Sequence, residues 1–211
     1  MRPSPTLENE TALWELGFNR IAGIDEAGRG AWAGPVMAGA VILPADPAIL
    51  ETLHGVRDSK LMTPAEREQM FDLIKASAAA WAVGEADHEE IDRIGILNAT
   101  KSAMKRAIDQ LCLSPDYLLI DYVHLQGVLT PQKGIKHGDM ISLSIACASV
   151  LAKVTRDRFM QTTAAELYPQ YGFEKHKGYG TKQHQEVLNR FGPCPIHRMS
   201  FHPLAKDLQL F

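Results

Sequence analysis

The sequence has few cysteines, no long apolar run and no large excess of charge. Its three cysteines, Cys112, Cys147 and Cys194, are widely spaced among 211 residues and form no C-x-x-C pair. This pattern disfavours a disulfide framework or a zinc ribbon and favours a reducing compartment, so we expect a cytoplasmic protein. No apolar run approaches the roughly 18 residues of a membrane-spanning helix, and residues 1–17 are unlike a signal peptide.

Several motifs of enzyme active sites are also missing. The chain has no G-x-S-x-G turn, no Walker A loop and no G-x-G-x-x-G turn, which argues against the hydrolases and nucleotide-binding proteins that use them. His176, His184 and His197 lack the H-x-x-x-H spacing of a helical zinc site. Any chemistry must therefore come from other residues.

The composition is that of a globular protein, but the charge is unevenly distributed. Hydrophobic residues make up 45% of the chain and charged residues 22%, which excludes wholesale disorder. The net charge is −3, yet residues 1–150 carry −7, whereas residues 151–211 carry +4 and four of the eight histidines. A basic C-terminal third is suited to a phosphate-rich ligand, and a chance gradient is the alternative.

The hydrophobic pattern predicts one α/β domain with a mixed sheet. We expect a tail with a short docking helix at 1–18, a core at 19–167 and a helical C-terminal extension at 168–211. Strands are predicted as a meander followed by a strand reached through a helical crossover, at 21–24, 35–43, 81–86 and 117–120. Helices are predicted at 63–80, at 91–111 with Gly95 as a candidate break, at 141–167 and at 182–190.

Carboxylates stand at the ends of these predicted elements. Asp25 and Glu26 end the first strand, Asp121 ends the fourth, and Asp139 opens the long helix. A crossover that places the fourth strand beside the first brings these groups together. They would repel one another unless a cation lay between them, and Mg²⁺ or Mn²⁺ prefers such oxygen ligands. The pattern predicts a two-metal site for phosphoryl transfer, although a lone strand-end Asp usually forms a turn.

Other segments are weaker candidates on their own. The turn Gly28-Arg29-Gly30 could bring backbone groups close to a substrate. Residues 175–180 combine basic, aromatic and glycine residues, as nucleic-acid-binding loops do, with a flexible basic loop as the alternative. A solvated helix face is the simplest interpretation of three basic residues, Lys153, Arg156 and Arg158.

Taken together, these motifs resemble those of the ribonuclease HII family. The segments that carry the resemblance run in order from about residue 20 to residue 203: IDEAGRG at 24–30, AGPV at 33–36, DSK at 58–60, SIA at 144–146, AKVTRD at 152–157, YGF at 171–173, HKGYGT at 176–181, PIHR at 195–198 and SF at 200–201. The match spans nearly the whole chain, and the joint pattern is highly specific.

The resemblance implies a ribonuclease H-like fold, in which helices flank a mixed five-stranded sheet. It also implies hydrolysis of the RNA strand of RNA–DNA hybrids and nicking 5′ to single ribonucleotides in duplex DNA. Two ions, Mg²⁺ or Mn²⁺, would act in catalysis and leave a 5′-phosphate and a 3′-hydroxyl. The family's metal ligands correspond here to Asp25, Glu26, Asp121 and Asp139.

The resemblance further implies residues that bind the substrate. In the family a Gly-Arg-Gly turn contacts the ribose 2′-hydroxyl, a loop tyrosine stacks on the sugar after the RNA–DNA junction, and two lysines face the backbone. The corresponding residues of this chain are Gly28, Arg29, Gly30, Tyr179, Lys60 and Lys153. Because Tyr179 is present and a large N-terminal extension is absent, we expect type II rather than type III.

The chain departs from the family pattern beside three of these residues. Tyr122 follows Asp121 where glycine is common, Trp32 replaces a common leucine, and His137 stands where lysine is usual. These departures flank site residues without removing one. We therefore expect them to affect rate and metal preference more than activity.

Two other functions stay open at this stage. Another nuclease of the same fold, of the junction-resolvase type, would use similar carboxylates, but the Gly-Arg-Gly turn and the Tyr179 loop argue against it. A non-catalytic hybrid-binding protein would lack a metal ligand, and none is missing here.

The last five residues, 207–211, resemble the Gln-Leu-x-Leu-Phe peptide that binds the bacterial sliding clamp. Leu208, Leu210 and Phe211 match, whereas Asp207 replaces the usual glutamine. Apolar side chains at a free chain end can fill pockets of a partner. The alternative is a final helical turn that packs on the protein's own core. We otherwise expect a monomer.

Overall fold

A computed structural model describes residues 4–205, and five strands in this range form one mixed sheet. The strands are β1 (Ile21–Ala27), β2 (Val36–Ile42), β3 (Ala80–Ala86), β4 (Tyr117–Asp121) and β5 (Gln132–Ile135). Their order across the sheet is β3-β2-β1-β4-β5. Strands β1, β2 and β3 pair antiparallel, whereas β4 pairs parallel with both β1 and β5. The predicted α/β class with a mixed five-stranded sheet is confirmed.

Helices cover the two faces of the sheet. They are α1 (Glu8–Glu15), α2 (Ile49–Thr52), α3 (Pro64–Ser77), α4 (His88–Ile94), α5 (Ile96–Asp109), α6 (Leu143–Gln161), α7 (Thr163–Leu167), α8 (Phe173–His176) and α9 (Lys182–Phe191). Short 3₁₀ turns occupy Ser59–Leu61, Gly138–Met140 and Pro169–Tyr171. Among residues 4–205 no helix combines the length and apolar character needed to cross a membrane.

The two longest sheet-packing helices lie on opposite faces because side chains alternate along a strand. Ala22 and Ile24 of β1 belong to the core that contains Met104 of α5. Gly23, between them, faces α6, where an added Cβ would come within 2.1 Å of the Ser144 carbonyl carbon. Only a residue without a side chain allows the first turn of α6 to lie this close to β1, so α6 packs directly on that strand.

The long C-terminal helix is shorter than predicted at both ends. It begins at Leu143 rather than 141, because Ser142 is its N-cap and accepts a hydrogen bond from the Ile145 amide at 3.4 Å. It ends at Gln161, and Thr162, with φ −104° and ψ −83°, separates it from α7. Asp139 therefore lies in the preceding 3₁₀ turn and not in the helix.

Other element predictions also needed correction. The first three strands pair antiparallel in the sequential order expected of a meander, with the unpredicted α2 and the predicted α3 between β2 and β3. Strand β5 was missed, and the helix that begins at Pro64 ends at Ser77 rather than at 80. The crossover prediction was right, since β4 lies beside β1, and Gly95 does separate α4 from α5.

Helix α1 anchors the start of α6 to the rest of the domain. Its buried Glu10 accepts hydrogen bonds from the Ser142 hydroxyl at 2.5 Å, and from the Ser144 hydroxyl and amide at 2.6 and 3.0 Å. A carboxylate at a helix N-terminus satisfies free amides and is favoured by the helix dipole. The Thr6 amide also donates to the Ile141 carbonyl at 3.0 Å. The docking helix expected within residues 1–18 thus holds the segment that carries Asp139.

Candidate active site

The parallel pairing of β1 with β4 brings their terminal carboxylates together. Ile24 lies opposite Ile120 in the register, so Asp25 and Asp121 follow at the same edge of the sheet. Carboxylate oxygens of Asp25, Glu26 and Asp121 lie within 4.8 Å of one another. No other group of three or more potential metal ligands approaches as closely anywhere in residues 4–205.

Neighbouring residues of one strand reach this site because β1 ends just beyond them. Glu26 follows Asp25, and its amide donates to Asp25 Oδ1 at 2.7 Å. The strand ends at Ala27, and Gly28 has φ +95°, so the chain turns where the sequence predicted a break. Arg29 returns over the site, and its guanidinium lies 3.2 Å from Glu26 Oε1.

Burial and mutual repulsion raise the proton affinity of this cluster. Burial raises the pKa of Asp25 well above its ordinary value, and the charges of Glu26 and Asp121 raise it further. Burial also raises the pKa of Glu26, although Arg29 opposes this. Glu26 Oε2 is buried and has no hydrogen-bond partner. A divalent cation with oxygen ligands would relieve both the repulsion and the unmet acceptor, so the residues present fit such an ion.

Asp139 lies near this cluster but outside it. Its turn is tied to β4, because the amide of Gly138 donates to Asp121 Oδ1 at 2.7 Å. Asp139 Oδ2 is 3.8 Å from the Lys60 ammonium. Burial raises the pKa of Asp139, and Asp58 adds to the effect. Burial alone would lower the pKa of Lys60, but the charges of Asp25 and Asp139 hold it above its ordinary value.

A cavity of about 540 Å³ opens beside the carboxylates, and all six predicted substrate-binding residues line it. Its lining includes Glu26, Gly28, Arg29, Gly30, Lys60, Lys153 and Tyr179, together with Ala27, Ser59 and Arg67. Residues that lie more than 100 positions apart in the sequence thus share one concave surface. This is the arrangement expected of a binding site with a catalytic group at its wall.

The basic residues of α6 do not form a solvated face, which corrects the simplest interpretation of the sequence. Arg156 is fully buried, and its guanidinium donates to the carbonyls of Pro35, Ala33 and Lys177 at 2.8–3.0 Å. Lys153 is mostly buried and pairs with Asp157 at 2.7 Å. Only Arg158 has a substantially exposed side chain.

The ring of Tyr179 packs against the side chains of Lys153 and Arg156. The Lys153 ammonium and the Arg156 guanidinium carbon are each 5.2 Å from the centre of its ring. The loop of residues 175–180 is well packed rather than free, since His176 is buried and the Trp32 amide donates to the Gly178 carbonyl at 2.8 Å.

Sequence reasoning missed Arg198, which supports the turn of residues 28–30 from below. It is fully buried, and it donates to the carbonyls of Gly34 and Arg29, both at 3.0 Å. Burial lowers its pKa to about 9, and the nearby charge of Arg156 contributes. Its place in the PIHR segment was the only indication in the sequence, because arginine is rarely buried without a carboxylate.

The three departures from the family pattern lie at structured positions. Tyr122 directly follows Asp121, and His137 precedes Gly138 and Asp139; both have left-handed backbones, with φ +62° and +57°. Trp32 packs against His184, with 5.3 Å between ring centres, and fills the space where Gly180 would carry a side chain.

Comparisons with known proteins agree with this geometry. The family model described as Ribonuclease HII matches residues 22–204. The chain is 53% identical over 205 residues to the ribonuclease HII of Roseiflexus castenholzii, covering 95% of this chain and 90% of that protein.

Solved structures are similar over most of the chain as well. The ribonuclease H2 of Pyrococcus horikoshii OT3 matches with a TM-score of 0.69 and 26% identity, over 89% of this chain and 96% of that one. The PCNA:RNase HII complex from Archaeoglobus fulgidus gives a TM-score of 0.69 and 25% identity, over 85% and 92%. With its family segments, fold and acidic cluster in agreement, the chain belongs to the ribonuclease HII family.

Proposed function

We propose that this chain, a metal-dependent endoribonuclease of the ribonuclease HII family, cuts the RNA strand of RNA–DNA hybrids and nicks duplex DNA 5′ to a single embedded ribonucleotide. The proposal rests on two features that lie side by side. A cluster of three carboxylates borders a cavity that is lined by the turn of residues 28–30 and by Tyr179. We expect the protein to act in the cytoplasm as a monomer.

Asp25, Glu26 and Asp121 are proposed to hold the metal ions, with Asp139 as a further ligand. Mg²⁺ and Mn²⁺ suit these hard oxygen donors. When bound, such a pair of ions supplies an activated water and stabilises charge on the leaving 3′-oxygen, giving a 5′-phosphate and a 3′-hydroxyl. The backbone amides of Glu26 and Gly138 orient two of these carboxylates, since they donate hydrogen bonds to Asp25 Oδ1 and Asp121 Oδ1, each at 2.7 Å.

The walls of the cavity are proposed to select the substrate. A 2′-hydroxyl is the only group that distinguishes ribose from deoxyribose at a single step. The backbone of Gly28, Arg29 and Gly30 lines the cavity and can approach that hydroxyl. Lys60, Lys153 and Tyr179 also line this cavity. We propose that the two lysines face phosphates and that the Tyr179 ring stacks on the following sugar.

These features also separate the proposal from its rivals. A junction resolvase has no need of a surface that senses one 2′-hydroxyl, whereas the cavity here joins the turn and Tyr179 beside the carboxylates. A non-catalytic binding protein would not need three buried or half-buried carboxylates in mutual repulsion. Both rivals predict no single nick at an embedded ribonucleotide.

Replacing Tyr179 with alanine tests the selection of substrate. We expect Tyr179→Ala to lose nicking at a single ribonucleotide much more than cleavage of a long hybrid, because the variant removes the ring proposed to stack on the sugar that follows the single ribonucleotide. A long hybrid offers ribose at every step and depends less on that contact. Initial rates on the two duplexes give the ratio, and Tyr179→Phe, which keeps the ring, should preserve it. Equal losses on both substrates would refute the role of Tyr179.

We also propose that residues 207–211 bind a sliding clamp. These residues lie outside the part of the chain that the structure describes. Support comes from the peptide pattern and from the similar archaeal ribonuclease HII, which was solved as a complex with PCNA. Deleting 207–211 should abolish clamp retention in a pull-down and leave nicking and the melting temperature unchanged. A melting temperature lower by several degrees, with no retention of the intact chain, would instead place the tail on the core.

A further inference from the structure

Three buried histidines form a cluster behind Tyr179, away from the carboxylates. His176 ends α8, His184 lies in α9, and His197 follows in the C-terminal segment, each at most 7% exposed. The rings of His176 and His184 are stacked with 4.3 Å between centres. The Nε2 atoms of His184 and His197 are 3.0 Å apart. The proposed catalytic and substrate-binding roles do not involve any of them.

The partners of His176 assign its proton. Its Nε2 lies 2.9 Å from the Tyr171 carbonyl, which can only accept, so Nε2 carries the hydrogen. Its Nδ1 lies 3.2 Å from the Gly178 amide, which can only donate, so Nδ1 is bare. His176 is therefore neutral, and it joins two main-chain groups of the loop.

The same reasoning assigns the hydrogens of His184 and His197, a pair in which His197 donates a hydrogen bond to His184. His184 Nδ1 lies 3.0 Å from the Tyr179 carbonyl, so it carries the hydrogen and leaves Nε2 bare. His197 Nδ1 accepts from the Cys194 amide at 2.9 Å, so its hydrogen is on Nε2 and points at His184 Nε2. The Cys194 carbonyl and Sγ each lie 3.1 Å from His197 Nδ1, but the closer Cys194 amide can only donate, which decides for a bare Nδ1.

Only the neutral forms satisfy this arrangement. A proton added to His184 Nε2 would face the hydrogen of His197 at 3.0 Å, and one added to His197 Nδ1 would face the Cys194 amide. The buried surroundings agree, since burial lowers the pKa of His184 and of His197 to about 4. His184 is thus held as an obligatory donor to the Tyr179 carbonyl.

That carbonyl is a structural junction of the proposed substrate-sensing loop. It accepts from both His184 Nδ1 at 3.0 Å and the Thr181 amide at 2.8 Å. On the other side, the Tyr179 amide donates to the His176 carbonyl at 2.9 Å, and the residue bridges to Ala31 of the neighbouring turn. The histidines therefore fix the main chain on both sides of the Tyr179 ring.

We propose that His184, held in its Nδ1–H form by His197, is a positioning residue that orients Tyr179 for recognition of a single ribonucleotide. This inference rests on the role proposed above for Tyr179. It assigns the histidines no contact with substrate or metal. Their effect passes through one hydrogen bond to the carbonyl of the residue that does the sensing.

A pair of variants tests the hydrogen bond. His184→Leu fills a similar volume without a donor, whereas the amide of His184→Asn can donate from the place of Nδ1. Both are assayed on a duplex with one ribonucleotide and on a long hybrid, beside wild type and Tyr179→Ala. We expect His184→Leu to lower the ratio of the two rates about fivefold, the size of one hydrogen bond. His184→Asn should restore most of that ratio.

Two physical measurements accompany the rates. Imidazole ¹⁵N shifts at pH 7 should show His184 protonated at Nδ1 and His197 at Nε2. Hydrogen exchange of the amides of residues 177–181 should be faster in His184→Leu than in wild type. Two results would overturn the inference. One is a folded His184→Leu whose ratio of single-ribonucleotide nicking to hybrid cleavage equals that of wild type. The other is a wild-type His184 that carries its hydrogen on Nε2 instead of Nδ1.

If the role proposed for Tyr179 is wrong, the variants will show a different result. If Tyr179→Ala itself leaves the rate ratio unchanged, the role proposed for Tyr179 is wrong. Positioning is then decided by hydrogen exchange alone: faster exchange at 177–181 in His184→Leu supports it, and unchanged exchange rejects it.

Discussion

At the scale of single residues, the two glycines of the 28–30 turn are required for different reasons. A Cβ on Gly28 would come within 2.0 Å of Arg156 Nε, and its φ of +95° disfavours any other residue. A Cβ on Gly30 would meet nothing within 4 Å. Gly28 thus serves the fold, whereas the open space at Gly30 belongs to the cavity that it lines.

This difference predicts opposite outcomes for two alanine variants. Gly28→Ala should reduce the free energy of unfolding by about 2 kcal/mol or more, because it combines backbone strain with a clash against a buried arginine. Gly30→Ala should change it by less than about 0.5 kcal/mol, as at an open surface position, but should weaken cleavage of both substrates. Urea unfolding and nicking rates test the pair. A destabilised Gly30→Ala, or a fully stable Gly28→Ala, would contradict it.

The same scale shows which site residues a sequence reveals. Asp25, Glu26 and Asp121 were predictable because a carboxylate that ends an apolar strand is conspicuous. Arg156 was not, since its lysine and arginine neighbours on α6 suggest a solvated face, and its burial depends on carbonyls more than 100 residues earlier in the chain. The roles of all the proposed site residues are still predictions.

At the scale of elements, long periodic segments were predictable and irregular ones were not. The buried β4 and the break at Gly95 follow from local pattern. Strand β5, with the sequence QKGI and largely exposed side chains, has no apolar alternation, and only its parallel pairing with β4 defines it. Tertiary contacts likewise set the start of α6, where Glu10 and Ser142 together satisfy the free amides.

His184 of α9 and its partner His197 predict how stability depends on pH. The pKa values of His184 and His197 fall from 6.5 to about 4 through burial, with His176 and, for His197, also His88 contributing. Below about pH 6.5 these two histidines bind protons in the unfolded chain, whereas in the native protein they stay neutral until the pH approaches 4. The stability these rings confer is therefore complete above pH 6.5 and is lost as the pH falls toward 4.

The carboxylate cluster acts in the opposite sense, so the histidine effect needs a matched comparison. The raised pKa values of Asp25 and Glu26 make the metal-free native state relatively more favourable as the pH falls. We expect His184→Asn to lose less stability than wild type between pH 6.5 and 4.5, because one of the two resisting rings is gone. Urea unfolding across this range measures both slopes. Identical slopes would show that His184 does not resist protonation.

At the scale of the whole molecule, the charge gradient along the sequence has a spatial meaning. The acidic N-terminal part supplies the carboxylates at the ends of β1 and β4. The basic C-terminal third supplies Lys153, Lys175 and Lys177, which line a second groove of about 390 Å³ that also includes Tyr179. An anionic backbone that follows this groove would be guided toward the carboxylate cluster of Asp25, Glu26 and Asp121.

The central claim is that the strand-end carboxylates cut at a ribonucleotide. The most direct measurement is incubation with Mg²⁺ or Mn²⁺ of a DNA duplex that holds one ribonucleotide, with all-DNA duplex and the Asp25→Asn variant in parallel. The wild-type chain should give a single nick 5′ to the ribonucleotide and leave the all-DNA duplex intact. Asp25→Asn should bind the duplex but lose cleavage by several orders of magnitude. Near-normal nicking by folded Asp25→Asn at saturating metal, or equal cutting of the all-DNA duplex, would contradict the claim.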